Sequence, residues 1–589
     1  FKPYLVHNKL MSKSYWESDS IIRIGETSVS IPSEHGLSYT SGQKISLMVP
    51  PSVKFLSGKD TYLEFNVKIA GGTVPTKLQL DPMGGSCVIR NLRIYDGTRS
   101  TLLEEIVDYN SVVAIKYDYD ADDSLRQSRA LVEGGTAYAP RFRGTNGTSE
   151  SHLTELHQNP YFVEKSGVLT TAWTDADHTE AKCCVPIHAG VFGDRIFPVM
   201  MTNGLYLEFD LAPAQQVIKQ LDSVNRHVRT PRNVYFKSLI NDADWPVDAT
   251  NRDVFWVSPT ENELGDDTSN FPFCVGETFR FAKYLQPNNL DGLSGEMKIS
   301  RIEKHVGSGN IQITVDTARN NAAGVIIDGE WVMYSTAMET GATATLQYTV
   351  SDFNLVAHEI HLDPSYEAGM LAKAREGKSI ELDIYSVTNH KHSTLSSDTQ
   401  VTYNIHANNS RAKSLVIMPT DATTYGVGAQ VSGLGTYQIG PFDGGVDVDS
   451  DDLMDSSLTS MRSGYSGMID GLTSTQFMMG GVLVPSRPVN TKKMVTKQSV
   501  DAFHLFELEK ALAQAGIPPR SFAAMQTNFL VGRAFGLQNG VSDLRNKDLQ
   551  VLLRYEDLAF QPTKNKIYNN FVFHIRKLII RNGQVAIEY

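Results

Sequence analysis

The sequence predicts an all-β protein built from β-sandwiches in tandem. Apolar and polar residues alternate with a period of two in many short segments, most clearly from Leu205 to Leu211. This alternation is typical of strands with one buried face. Turns rich in Gly, Pro, Asn and Asp separate segments of about five to nine residues, which favours antiparallel sandwiches. With 589 residues, 41% of them hydrophobic, the chain is long enough for about two to four domains.

The alternating segments form two series along the chain. The first series predicts strands at 43–49, 61–69, 87–95, 183–192, 204–211 and 353–362. The second predicts strands at 379–387, 400–406, 477–485, 529–535, 548–556 and 570–580. Each series has a predicted helix after its third strand, which indicates an architectural duplication, although no residue-level repeat accompanies it.

Three helices are predicted between these strands. Asp363 is a good N-cap for a helix that Gly377 ends. A longer helix is predicted from Ser499 to Gly516, with a stripe of leucines on one face. A helix over 101–115 is predicted from apolar residues at helical spacing, namely Leu102, Ile106, Tyr109 and Val113.

The two series divide the chain into two predicted domains, 1–365 and 366–589. The first is longer, and its excess is about the size of segment 230–348, which has a β pattern of its own. We interpret 230–348 as an insertion into the first sandwich. The second domain contains a long loop at 421–475, rich in Gly, Ser, Thr and Asp, and loops of this length are typically functional surfaces.

Composition argues against several classes of partner. The 54 Lys and Arg residues against 66 Asp and Glu residues leave a net charge of −12, so no sequence-specific nucleic-acid partner is expected. No segment reaches about 18 consecutive apolar residues, so no membrane span is expected. The start at Phe1, with neither an initiator Met nor an apolar signal core, favours a trimmed or incompletely covered N-terminus. The four cysteines lack zinc-ligand spacing and are interpreted as small buried thiols: Cys87, Cys183, Cys184 and Cys274.

Candidate metal sites fail on spacing. The motif His358-Glu359-Ile360-His361 places its histidines at i and i+3 in a predicted strand, which directs the two imidazoles to opposite faces. The acidic run at 443–455 suits Ca²⁺ in its oxygen ligands, but the calcium-loop pattern fails, and a solvated acidic loop is favoured. The motif His390-Lys391-His392 is also interpreted as a polar loop.

No catalytic signature is visible. Neither a nucleophile elbow nor a phosphate-binding loop is present, and the paired carboxylates of a glycosidase stay open because their pairing is spatial. Met478-Met479-Gly480-Gly481 and Pro82-Met83-Gly84-Gly85 have the style of viral processing sites, but Gly-Gly in β-proteins is more often a turn or bulge. We therefore predict that the chain is not an enzyme and has no catalytic, cofactor-binding or metal-binding residues.

Three stretches carry a resemblance to a known family. They are Gly36-Leu37-Ser38-Tyr39-Thr40-Ser41-Gly42-Gln43-Lys44-Ile45 followed by Tyr62-Leu63-Glu64-Phe65, then Gly204-Leu205-Tyr206-Leu207-Glu208-Phe209, and the closing segment from Leu549 to Tyr589. In these stretches the chain resembles the double jelly-roll major capsid proteins of virophages and Polinton-like viruses, a lineage that includes adenovirus hexon. The resemblance touches both halves of the chain, while segment 230–348 lies outside it.

The resemblance implies two tandem eight-stranded jelly-roll β-sandwiches with few short helices and large loop insertions. It implies a homotrimer that forms a pseudo-hexagonal tile of an icosahedral shell around a DNA genome. The partners would be the chain itself, neighbouring trimers, and penton and minor capsid proteins. The location would be the virion, assembled inside the host cell, with 230–348 and 421–475 outward or at the trimer seam.

Two other classes of protein stay open. A cement or fibre protein of a virus would share the β-rich composition, although a fibre should show short repeats or a coiled coil. A glycan-binding or glycan-cleaving β-sandwich protein should show aromatic clusters at loop tips or a carboxylate pair. The five tryptophans are scattered and form no visible sugar-stacking platform.

Overall fold

The structure is a computed structural model of the chain. It describes residues 23–70, 77–80, 83–120, 125, 129, 132–134, 181–193, 195–221, 254–257, 278–286, 289–291, 297–304, 311–315, 331–335, 347–395, 397–421, 472–491, 502–520, 530–535, 540–555, 566–581 and 584–588. Of the predicted loop at 421–475, residues 422–471 lie outside these ranges and the remaining residues are in strands. The acidic run at 443–455 and Cys274 also lie outside the described ranges.

The first third of the chain is mostly β-structure. Three 3₁₀ turns, Gly84–Val88, Gly190–Phe192 and Val199–Thr202, accompany its regular elements. In chain order these elements are β1 (Arg23–Pro32), β2 (Ser38–Thr40), β3 (Lys44–Val49), β4 (Leu56–Ser57), β5 (Tyr62–Ala70), β6 (Lys77–Leu80), β7 (Ile89–Asp96), β8 (Leu102–Val107), α1 (Tyr109–Asp120), β9 (Ala181–Pro186), β10 (Ile196–Phe197), β11 (Leu205–Leu211), α2 (Ala214–Val217) and β12 (Ile218–Leu221).

The rest of the chain supplies a separate sheet and a second series of long strands. The separate sheet consists of β13 (Val254–Val257), β14 (Thr278–Gln286), β15 (Asn289–Asp291), β16 (Met297–Lys304), β17 (Ile311–Val315) and β18 (Trp331–Ser335). Then follow β19 (Gln347–Leu362), α3 (Pro364–Arg375), β20 (Ile380–Thr394), β21 (Gln400–Ile405), β22 (Ala412–Asp421), β23 (Leu472–Met479), β24 (Val482–Asn490), α4 (Ala502–Gln514), β25 (Val531–Ala534), β26 (Leu549–Tyr555), β27 (Lys566–Arg581) and β28 (Gln584–Glu588).

Eight long strands build the first sandwich. One sheet has the order β1-β19-β5-β9 and the other the order β3-β11-β7-β8, with all neighbours antiparallel. Numbered along the chain from one to eight, these orders are 1-8-3-6 and 2-7-4-5, which is jelly-roll connectivity. The inward side chains of the two sheets meet in a core that contains Phe65, Phe209 and Phe353, with ring centroids 5.1 and 5.3 Å from that of Phe353.

The second sandwich repeats the same strand order. Its sheets are β20-β27-β22-β25 and β21-β26-β23-β24, again 1-8-3-6 and 2-7-4-5. In both sandwiches an α-helix follows the fifth strand: α1 follows β8, and α4 follows β24. The all-β prediction and the two tandem eight-stranded jelly rolls are confirmed.

The sheet formed by β13–β18 lies in the chain between the seventh and eighth strands of the first sandwich. Its order is β13-β17-β16-β14-β15, with β18 paired to β14. All of its strands fall within segment 230–348. β16 and β17 are paired, and Ile299 on β16 and Ile313 on β17 are both fully buried. This sheet therefore has an apolar side of its own.

The predicted helix over 101–115 is wrong in its first half. Residues 102–107 form β8, and the helix begins only at Tyr109. Leu102 and Ile106 fit helical spacing, but β8 pairs with β7, where Glu105 lies opposite Arg93 and their side chains bond at 2.8 Å. Pairing across the sheet therefore overrides a local spacing that was compatible with either structure.

The predicted correspondence between the two series is displaced by one strand in its first two pairs and holds in the other four. Segment 43–49 is the second strand of its sandwich, whereas 379–387 is the first of its own. The first series omitted β1, whose residues 25–30 are exposed apart from half-buried Val29, and the second omitted β22, whose residues 414–419 are all buried. In β1 polar and apolar residues alternate only from Ser28 to Ile31, and in β22 residues 415–418 are all apolar, so a search for a sustained period of two passes over both.

Candidate functional site at the junction of the two sandwiches

The two sandwiches meet edge to edge. β8 is the last strand of one sheet of the first sandwich, β20 is the first strand of one sheet of the second, and the two strands are in contact. The closest backbone approach is at Gly190, where an added Cβ would lie 2.1 Å from the carbonyl oxygen of Tyr385. Only glycine allows the 3₁₀ turn Gly190–Phe192 to lie against β20 in this way.

Glu104 on β8 is a fully buried carboxylate at this junction. It accepts hydrogen bonds from the backbone N–H groups of Gly190 at 3.0 Å and Val191 at 3.2 Å. Burial raises the pKa of Glu104, while these N–H groups, the Ser386 hydroxyl and the charge of Arg576 act in the opposite direction. Since Ser386 and Arg576 belong to the second sandwich, Glu104 links both halves of the chain.

Asp108, which lies between β8 and α1, forms a second link between the two sandwiches. Its backbone is left-handed, with φ 54°, and its side chain is fully shielded from solvent. One carboxylate oxygen lies 2.5 Å from Lys391 Nζ and accepts a hydrogen bond from Asn389 Nδ2 at 2.9 Å, both on β20. A shielded ion pair of this kind is costly to break from one side, because the remaining charge stays buried.

Arg576 on β27 is held by a histidine of the same strand. Its Nε donates to His574 Nε2 at 2.9 Å, and its guanidinium lies 3.5 Å from the carbonyl oxygen of Leu103 across the junction. His574 Nδ1 lies 3.1 Å from the carbonyl oxygen of Val572, so the neutral imidazole donates there and accepts from Arg576. Burial and the charge of Arg576 lower the pKa of His574 to about 4.

Two contacts close the rim of the junction. The Thr101 hydroxyl donates to the carbonyl oxygen of Val585 on β28 at 3.3 Å. The backbone N–H of Arg520 donates to the carbonyl oxygen of Tyr119 at 2.7 Å, and the Arg520 guanidinium lies 3.6 Å from Asp120. The junction therefore has a buried polar centre and hydrogen bonds at its margin, and it joins the sandwiches side by side.

The motif His358-Glu359-Ile360-His361 lies on β19, and its histidines bond to the neighbouring strand. His361 Nε2 is 2.7 Å from the Thr27 hydroxyl, and the His358 ring is 3.4 Å from the Ser28 hydroxyl. Among the described residues, no three His, Cys, Asp or Glu side chains are placed to share a metal ion.

The polar-loop interpretation of His390-Lys391-His392 is wrong, because all three residues belong to β20. His392 stacks on Tyr403, with ring centroids 4.2 Å apart, and Lys391 forms the ion pair with Asp108. Polar side chains suggest a loop, but here Lys391 faces the polar junction and His392 packs on a tyrosine of the second sandwich.

The two Gly-Gly motifs are turns. Gly480 and Gly481 connect β23 to β24 with φ of 57° and 80°, as in a two-residue type I′ hairpin turn. Gly84 and Gly85 are buried in the 3₁₀ turn Gly84–Val88, and a Cβ on Gly85 would lie 2.8 Å from Cys183 Cβ. Cys87 and Cys183 are buried, as predicted, and Cys184 is half-buried.

Sequence reasoning did not single out Glu104, Asp108 or Arg576. A usable signal was present in Glu104-Glu105, since adjacent strand residues point to opposite faces and one of two neighbouring carboxylates must point inward. A second signal was the presence of two polar residues, His574 and Arg576, in the middle of the apolar segment 570–580.

No protein-family model matches the chain, and no curated protein matches its sequence. Among solved structures, the chain is similar to PBCV-1 VP54 as fitted into the virophage Sputnik, with 12% identity, a TM-score of 0.44, and coverage of 96% of this chain and 97% of that one. It is also similar to the Faustovirus major capsid protein, with 9% identity, a TM-score of 0.46, and coverage of 98% and 93%. For the mavirus major capsid protein the identity is 9%, the TM-score 0.34, and the coverage 100% and 97%. At these identities the fold assignment rests on the strand order given above.

No helix in the described ranges is long and apolar enough to cross a membrane.

Proposed function

We propose that the chain is a viral major capsid protein and not an enzyme. The observation that carries this proposal is the fusion, in one chain, of two sandwiches with the same strand order, joined edge to edge through β8 and β20. The junction is built from packed and hydrogen-bonded groups rather than from an open cleft. The Faustovirus and mavirus proteins named above are major capsid proteins, which agrees with a structural role.

The proposed assembly is a homotrimer. Three chains bring six sandwiches of similar shape, so a threefold particle can tile as a pseudo-hexagonal unit of an icosahedral shell around a DNA genome. The chain divides in this proposal into 1–365 and 366–589, with 230–348 and 421–475 as outward or seam-forming loops. Neighbouring trimers, penton and minor capsid proteins are the further partners, and assembly takes place inside the host cell before the protein resides in the virion.

Solution mass tests the proposal directly. Light scattering on the purified 65.1 kDa chain should give a species of three times that mass, and negative-stain images of the same peak should show a hexagonal outline. A monomer or dimer that stays dispersed across salt and pH would contradict the capsid-tile function. In that case a glycan screen becomes the next measurement.

A further inference from the structure

Among the described strands, none pairs with the outer edge of the fifth strand of the second sandwich. We call β24, with the preceding Gly480-Gly481 turn, the β24 edge. Six of the nine residues of β24 are exposed. None of the residues of β8, the fifth strand of the first sandwich, is exposed, because β20 lies against it. Two strands with the same position in the same fold therefore differ in whether the chain supplies a neighbour.

The tip of the β24 edge is apolar. Val482 is 63% exposed and Leu483 is 43% exposed at the end of the hairpin, on opposite faces of the strand. The equivalent turn of the first sandwich, between β7 and β8, is polar, and its Thr101 bonds to Val585 of the second sandwich. Exposed apolar side chains at the end of an edge strand are typical of a protein–protein contact.

The first strand of the first sandwich is also uncovered. β1 has the same position as β20, and it pairs only with β19 among the described strands. Residues 25–28 and Ser30 are exposed. Within the described residues, one fifth-position strand, β24, and one first-position strand, β1, therefore have an edge that no other strand covers. They occupy the two positions that β8 and β20 occupy in the internal contact.

We infer that the β24 edge of one copy docks against β1 of a second copy. This contact repeats between chains the junction found within each chain, and it rests on the proposed homotrimer. The partner is a second copy because both halves of the contact are present on every chain. A head-to-tail contact of this kind is heterologous, and it leaves no free edge when the ring of copies closes.

A charge placed at the tip tests the contact. The double variant Val482→Asp with Leu483→Asp should raise the dissociation constant of the trimer at least about 30-fold, which is the size expected for a central apolar contact. The matched control is Leu395→Asp, at a residue that is 62% exposed and lies outside the β24 edge. Light scattering over a dilution series measures both, and circular dichroism confirms that each variant is folded.

Cross-linking provides a second readout that does not depend on a destabilising variant. Chains carrying only Ser28→Cys are mixed with chains carrying only Ser486→Cys, both at exposed positions, and treated with a short bis-maleimide. A cross-linked pair is expected, and the pair Ser393→Cys with Ser486→Cys should give none. A wild-type trimer that survives the double variant and yields no cross-link overturns this contact but leaves the capsid function standing. A wild-type monomer removes both.

Discussion

The β8–α1 edge of the first sandwich and the β24–α4 edge of the second occupy the same place in the same fold, yet their environments differ. In α1 every residue whose side chain is described is buried or half-buried, whereas Phe506 on α4 is 53% exposed. Both helices follow a fifth strand, so the difference does not come from topology. The first edge is covered by β20 of the same chain, and Asp108 at this edge bonds to Lys391 and Asn389 of that strand.

The chemistry of the two edges differs in the same sense. The first edge presents two shielded carboxylates, Glu104 and Asp108, toward Lys391 and Arg576 of the second sandwich. The buried Glu507 on α4 is instead paired within its own sandwich, with Arg533 Nη1 at 2.5 Å. The two shielded carboxylates of the covered edge therefore contact charged groups of the other sandwich, although Asp108 also lies 3.8 Å from Arg90 of its own, whereas Glu507 is paired within its own sandwich.

The largest expected effect comes from removing the carboxylate at the covered edge. Glu104→Ala leaves the N–H groups of Gly190 and Val191 and the charge of Arg576 without their partner, which should cost about 3–5 kcal/mol of unfolding free energy. Urea unfolding measures the loss. The control is Glu105→Ala on the same strand, whose partly exposed ion pair with Arg93 should contribute at most about 1 kcal/mol. Equal losses in both variants would contradict a special role for the junction.

Acid should weaken the junction through His574. Its pKa of about 4 lies below the ordinary 6.5, so below pH 6.5 the unfolded chain binds the proton more readily. The free energy of unfolding should fall as pH falls from 6.5 toward 4, by at most about 3 kcal/mol. Glu104 acts with the opposite sign, because its raised pKa favours the folded state at low pH.

Unfolding at stepwise pH values checks this expectation. His574→Gln should flatten the profile between pH 6.5 and 4, although not completely, since burial also lowers the pKa of His188 well below 6.5. The matched variant is His35→Gln, at an exposed histidine outside the junction. A profile unchanged by His574→Gln would show that the proton is taken up elsewhere.

The next largest effect on stability is expected where the backbones of Gly190 and Tyr385 come close together. Gly190→Ala places a Cβ 2.1 Å from the Tyr385 carbonyl oxygen, so the sandwiches must move apart at a cost of about 1–3 kcal/mol. Gly369→Ala in α3 is the control, because nothing lies within 4 Å of its added Cβ. The control should be neutral or stabilising by about 0.5–1 kcal/mol, as for glycine in a helix. Thermal unfolding distinguishes the two, and a neutral Gly190→Ala would mean that the junction yields easily.

The smallest effect is expected at the uncovered edge. Gly480→Ala puts a side chain at φ 57° in the hairpin turn and should cost about 1 kcal/mol, whereas Gly480→Asn should be nearly neutral because Asn tolerates this conformation. Thermal unfolding of the two variants is the measurement. An Ala variant as stable as the Asn variant would show that the turn does not set the hairpin.

Local sequence determined the strands that have one polar and one apolar face. The segment from Leu205 to Leu211 alternates between buried and less buried residues, and its predicted bounds agree with β11 within one residue. The helix ending before Gly516 was also predictable, since that glycine has a φ of 78° beyond the last turn of α4. Period and capping are properties of neighbouring residues, so they are visible in one dimension.

Tertiary structure alone decided the strands without alternation and the junction. β1 is exposed from 25 to 28 and has only half-buried Val29 and buried Ile31 turned to the core, while residues 414–419 of β22 are all buried, so neither carries a sustained period that sequence could show. Residues 102–107 became β8 because β7 offered a pairing partner, and Glu104 became a buried link because Gly190 and Arg576, 86 and more residues away, come to it. Burial and pairing depend on which distant segments meet, and no local spacing records that.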